Sequence, residues 1–187
     1  MAAFGAKYIK FAPIKTEPAT GMPTYDAPVT LGDLVKAELT INLASGEIYG
    51  DDRLVEKLEE FSSGSIAVEV VDMTDTVEST LFGSAYDEST GLVDKTSDNI
   101  PYCGLGYCKV LVRNGKKVYR AIFYPKTKAS QGTDSANTKG SSITFASTPV
   151  SFTVHEPNDG DWRHRKVFDT EAEAKAWIDK MFKGTSV

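Results

Sequence analysis

The stretch Val112-Arg113-Asn114-Gly115-Lys116-Lys117 decides the fold class. Asn-Gly between two strand-like runs is the preferred two-residue loop of a type I′ hairpin, because both loop positions need positive φ. Placing the turn at Asn114-Gly115 fixes the register outward. Val110 faces Tyr119 and Cys108 faces Ala121, giving one apolar face, while Leu111 meets Val118 on the other. The same register sets Lys109 opposite Arg120. Such a like-charged pair costs stability unless carboxylates from an adjacent strand or subunit answer it.

Strand patterns continue on both sides of this hairpin. Lys7 to Phe11 predicts a short strand, and Ala12 to Thr30, with Pro13, Pro18, Pro23 and Pro28, predicts a semi-rigid extended loop outside any ladder. Leu34 to Leu43 alternates, with Val35, Ala37, Leu39, Ile41 and Leu43 on one face and Lys36, Glu38, Thr40 and Asn42 on the other. Asp52 to Phe61 fits a helix by the spacing of Leu54, Val55, Leu58 and Phe61, and also fits a bulged strand. Ser62-Ser63-Gly64 predicts a turn, and Ser65 to Val71 a strand. A short helix follows, with Asp75 and Glu78 as a capping-box pair, Val77 and Leu81 stacked, and Gly83 as its stop.

Lys126 to Gly140 is polar, small and aperiodic, longer than an ordinary connection, and predicts a functional or mobile loop. Ser142 to His155 predicts a strand whose buried parity switches around Pro149, hence a bulge or bend there. The last element is a helix from Glu171 to Phe182, with Thr170 and Glu173 as capping box and Ala174, Trp177, Ile178 and Met181 as buried stripe. The expected architecture is mainly β (α+β): an antiparallel β-sandwich or partly closed barrel flanked by a mid-chain and a C-terminal helix. No repeat or linker divides residues 1–187, so one domain is expected.

Bulk properties narrow the function. The 187 residues carry a formal charge of −5, which argues against a protein that grips nucleic acid through clustered cations. No run of eighteen apolar residues crosses a bilayer, and the opening residues do not read as a signal peptide. Cys103 and Cys108 are the whole thiol inventory. Their spacing in one strand puts them on opposite faces, so neither a disulfide nor a zinc site is expected, and the chain reads as folded in a reducing cytoplasm.

No constellation for catalysis emerges. His155 and His164 lack a nucleophile or metal-binding companion at useful spacing and read as exposed strand residues. Gly104-Leu105-Gly106 lacks the third glycine and following helix of a dinucleotide site and reads as strand flexibility or a bulge. Asp51-Asp52, imaginable as half of a metal or glycosidase pair, reads better as a solvated β-turn after Tyr49-Gly50. Trp162-Arg163-His164-Arg165-Lys166 is a basic run beside an aromatic, read as a surface strand with acidic neighbours rather than a nucleic-acid contact. The expectation is no enzyme, no catalytic residues, no metal and no cofactor.

Four segments, in order, resemble siphophage major tail proteins: Gly5 to Ile14, Ala37 to Asp52 with its Glu47-Ile48-Tyr49-Gly50-Asp51-Asp52, Gly140 to Phe145, and Gly160-Asp161-Trp162-Arg163. The resemblance implies a β-sandwich subunit with a flanking helix and favours strand for 52–61. It also implies a virion structural protein of the tail, assembled in host cytoplasm as hexameric rings stacked into a tube. Genome DNA passes through that tube without sequence-specific binding, and a tape-measure protein fills it beforehand. Partners would be further copies of the chain and the tape-measure and tail terminator or tip proteins, with no membrane. Contractile tail tubes and tail-like injection particles are close relatives. A monomeric ligand-binding β-sandwich and a hydrolase with an unrecognised site are the other readings.

Within the tube reading, the subunit and ring interface is expected at Pro18, Pro23, Tyr25, Lys126, Lys128, Asp134 and Lys139. The lumen is expected at Lys36, Glu38, Thr40, Asn42, Glu47, Asp51 and Asp52, with Glu69 a weaker candidate. Six subunits would carry 6 × −5 = −30, a repulsion that lets phosphate slide rather than stick.

Overall fold

The structure, a computed structural model, describes residues 2–133 and 147–184. In chain order they form β1 (Ala2–Thr16), β2 (Thr24–Tyr25), β3 (Val29–Gly32), β4 (Leu34–Gly50), β5 (Arg53–Val70), α1 (Asp75–Phe82), β6 (Ala85–Asp87) and β7 (Gly91–Val93). Then follow β8 (Tyr102–Arg113), β9 (Lys116–Gln131), β10 (Thr148–Val154), β11 (His164–Phe168) and α2 (Glu171–Phe182). Nine strands make one antiparallel sheet in the order β2-β1-β8-β9-β10-β5-β4, with β3 added to β1 and β11 to β9; β6 and β7 pair separately.

The hairpin register read from Asn114-Gly115 is the observed one: Val110 pairs with Tyr119, Cys108 with Ala121, and Lys109 with Arg120. Both turn residues have positive φ, 51° at Asn114 and 75° at Gly115. The sheet curls about one core. Ile9 and Phe11 from β1, Leu31 from β3, and Leu34 and Leu39 from β4 join one apolar cluster with Leu105, Ile122 and Phe152. No pairing joins β4 to the β1–β3 edge among the described residues, so the barrel stays open. On the other side of β1, β8 and β9 a second cluster forms beneath α2, with Cys108, Ala121 and Phe123 against Trp177, Ile178 and Phe182. The two thiols therefore lie on opposite faces, both free and buried. Burial pushes Cys103 up to about 12 and Cys108 up to about 11, which keeps both unreactive.

Helix α2 is capped as its sequence predicts: the Thr170 hydroxyl accepts from the Glu173 amide, and the Glu173 carboxylate accepts from the Thr170 amide. It is tied to β1 by polar contacts too. Asp179 accepts from the Tyr8 hydroxyl at 2.8 Å and from Lys10 Nζ at 2.9 Å, and Glu171 pairs with Lys7.

Several expectations need correction. Ala12 to Thr30 is partly strand: β1 continues through Pro13, opposite Cys103, to Thr16, and β2 and β3 return against it. A proline fits there because its carbonyl still accepts, from the Asp26 amide at 3.0 Å. Lys126 to Gln131 is also strand, because Thr127 and Ala129 bury in alternation and the Thr127 hydroxyl is satisfied by the Cys103 carbonyl at 2.9 Å. Residues 53–61 are strand, as the resemblance favours, whereas Ser62-Ser63-Gly64 is not a turn but the middle of β5. The turn lies at Asp51-Asp52, as expected for that pair, with φ of 49° and 59°. The α1 helix ends on Gly83 as expected. Its start differs: Thr74 is the N-cap, without a side-chain cap bond, so Asp75 and Glu78 form no capping box. Val35 is exposed, because a register shift between Leu34 and Lys36 turns it out of the alternation. The β10 register runs unshifted through Pro149, and the earlier part of the expected 142–155 strand lies outside the described residues.

Candidate assembly surfaces

Helix α2 covers only one end of the sheet's outer side. At the β9-β10-β5-β4 end that side is bare, and cross-strand register shows what lines it. One row reads Thr40, Ser65, Thr153, Lys128, Tyr102, and the next Glu38, Ala67, Ser151, Ser130. Lys36 and Glu69 pair in the row beyond. Small hydroxyls dominate and the charges nearly cancel. Lys36 Nζ is 2.8 Å from the Glu38 carboxylate. The Lys36 hydrogen bond and charge hold Glu38 below the usual carboxylate range, and Lys109 adds to the pull.

Beyond the core, β4 and β5 continue alone as a long hairpin arm. Register shifts mark its root, at Asn42/Leu43, and its tip, at Ile48/Tyr49. At the root Phe61 stacks on Trp162, ring centroids 4.1 Å apart and planes 4° from parallel, with the Arg163 guanidinium 4.4 Å from the Trp162 ring on which it lies. Past that stack, Leu43, Ile48, Tyr49, Leu54, Val55 and Leu58 are 48–64 % exposed. Register puts Leu43, Tyr49 and Leu54 on one face of the arm and Ile48 and Leu58 on the other. Six carboxylates, Glu47, Asp51, Asp52, Glu56, Glu59 and Glu60, stand against Arg53 and Lys57. Sequence pattern alone had signalled this arm only as an ambiguous periodicity, because an apolar residue without a core partner looks the same in a sequence as a buried one.

A family comparison bears on this directly: a sequence model of the phage tail tube protein family matches residues 35–186. The chain belongs to that family. A comparison with curated proteins found no match. A phage tail tube protein has a structural, not an enzymatic, role in the virion tail. The match begins at Val35, so the likeness of Gly5 to Ile14 lies outside it.

In this tail tube protein the expected lumen residues fall on two surfaces. Lys36, Glu38, Thr40 and Asn42 share the bare sheet face, with Asn42 bonded to the Ser63 hydroxyl at 3.1 Å. Glu47 sits on the arm and Asp51 and Asp52 form its turn. The expected interface residues are scattered. Pro18 is exposed and Pro23 buried. The Tyr25 ring packs edge-on against Phe123 and Phe182, and its hydroxyl donates to the Pro125 carbonyl at 2.8 Å, so it serves the subunit's own core. Lys126 is paired with Glu17 at 2.8 Å, whereas Lys128 lies over the exposed Tyr102 ring. Asp134 and Lys139 lie outside the described residues.

The features weighed for chemistry find structural places. Both histidines are half-buried rather than exposed, and His155 stands edge-on to Tyr102. The basic run 162–166 does not lie among acidic strand neighbours. Arg165 pairs with Ile122 and Lys166 with Ala121, and Arg163 is held by its stack on Trp162. Gly104 sits in the register shift between Cys103 and Leu105, and both it and Gly106 leave room for other groups: a Cβ on Gly104 would lie 2.6 Å from the Tyr25 ring, and one on Gly106 2.7 Å from Ile178.

Proposed function

We propose that this subunit assembles with copies of itself into hexameric rings that stack as the tube of a non-contractile tail, through which genome DNA is delivered. The β4–β5 arm carries the reading. A two-stranded hairpin is marginally stable alone in water, yet this one exposes six large apolar side chains on both faces. Covering them would contribute on the order of 1 kcal/mol each. That sum, roughly 6 kcal/mol, is comparable with the cost of bringing two bodies together. One arm contact is therefore weak by itself, and ring closure, in which every contact reinforces the next, makes the assembly stable.

The bare face of β9, β10, β5 and β4 suits the inner wall. Hydroxyls and mutually cancelling charges offer DNA no cluster of unpaired cations to grip, and the surplus acid lies on the arm. Tape-measure and terminator or tip proteins complete the assembly, and no membrane takes part. Negative-stain microscopy of arm variants tests this reading. Leu58→Ser with Tyr49→Ser should leave a folded subunit that forms no rings. Rings of normal number and diameter from that variant would show that the arm is not the assembly contact.

A further inference from the structure

We propose that the acidic β4–β5 arm of one copy docks on the basic β8–β9 hairpin of the next copy in the ring. The inference rests on the ring assembly above and names the arm's receptor. The row Thr40, Ser65, Thr153, Lys128, Tyr102 gives the geometry. From it β5 runs back from Ser65 to its start at Arg53, 65 − 53 = 12 residues, and β9 from Lys128 to its start at Lys116, 128 − 116 = 12 residues. Both strands are antiparallel to β10 between them, so both hairpins project from the same end of the sheet. Twelve residues span about 40 Å. Two inter-strand steps of twist splay the hairpins by roughly 45°, which parts their tips by roughly 30 Å. A single copy therefore holds the two tips apart, and a neighbour beside it presents its opposite tip at the same level.

The charges are complementary. On the arm, Lys57 bridges Glu47 and Glu59, at 3.5 and 2.9 Å, while Asp51, Asp52, Glu56 and Glu60 make no ion pair among the described residues. On the other hairpin Arg113, Lys116 and Lys117 likewise make none. Asp169 lines the same groove as these three cations and leaves the tip net positive. Apolar surface accompanies both. Lys117 lies over the ring of Phe4, itself 55 % exposed, where it can meet Tyr49, Ile48 or Val55 of the incoming arm. A contact between two different patches, each present once per copy, is heterologous. Such contacts generate closed rings when the rotation between copies closes.

Charge exchange in the full-length chain tests the proposal, read by sedimentation velocity and negative-stain microscopy. Glu56→Lys with Glu60→Lys should weaken association roughly tenfold or more, and so should Lys116→Glu with Lys117→Glu. The chain carrying all four changes should recover wild-type association within about threefold, because each reversed arm then meets a reversed receptor. Circular dichroism verifies that every variant is folded, since all four positions are exposed. Undiminished assembly of either charge-reversed pair, or no recovery in the fourfold variant, would overturn this contact while wild-type rings keep the tube reading standing. A wild-type chain that remains monomeric would overturn both.

Discussion

At Gly106 an added methyl would sit 2.7 Å from Cγ2 of Ile178 and 3.2 Å from the Phe123 ring, within the layer where α2 lies on β8. Gly106→Ala should therefore cost about 1–3 kcal/mol by overpacking, read as a lower denaturation midpoint with unchanged slope. The Gly-Leu-Gly pattern was legible as a strand irregularity, but its cause was not, because the nearest crowding atom belongs to Ile178, 178 − 106 = 72 positions away. His155 offers a pH test. Burial lowers its pKa from the ordinary 6.5, and Lys126 and Lys128 lower it further. The folded state prefers the neutral ring, so below pH 6.5 the unfolded chain binds more protons and stability falls, levelling once the folded-state pKa is passed. Urea unfolding at pH 7.5 and 5.0 should show a smaller acid loss in His155→Asn than in the wild type. Equal losses would mean that this ring does not contribute to the acid response.

Among the elements, α2 and the turn and register of the β8–β9 hairpin were legible, because capping box, apolar stripe and Asn-Gly turn are local codes. Thr170→Ala should cost about 1 kcal/mol, measurable as a fall in Tm. The strand from Lys126 to Gln131 was hidden because its buried members, Thr127 and Ala129, are small or polar and only the Cys103 carbonyl makes Thr127 acceptable inside. The arm was half legible. Its apolar residues and the turn at Asp51-Asp52 were visible, but Ser62-Ser63-Gly64 offered a second turn signal that the paired strand overrides. Without a packed face, residues 43–61 should exchange amide hydrogens quickly in the free subunit and slowly once assembled. Equal protection in both states would show that the arm is not covered by a neighbour.

For the whole molecule, charge is distributed unevenly although its total is modest. The formal −5 of the chain arises largely on the arm, where six acids face two bases, while the bare sheet face balances Lys36 and Lys128 against Glu38 and Glu69. Composition revealed the total and alternation revealed Lys36 to Asn42 as one face; the rows that join β4 to β10 and β9 depend on pairings no local pattern encodes. If that face lines the tube, Glu38→Lys with Glu69→Lys should slow DNA ejection, more at low salt than at high, because screening weakens phosphate attraction. An ejection rate independent of both would place the wall elsewhere. Self-assembly is the central claim, and sedimentation velocity across a concentration series, with microscopy of the same samples, tests it most directly. The account predicts six-fold rings and stacked tubes growing from the 20.3 kDa subunit; a compact monomer at every concentration would contradict it.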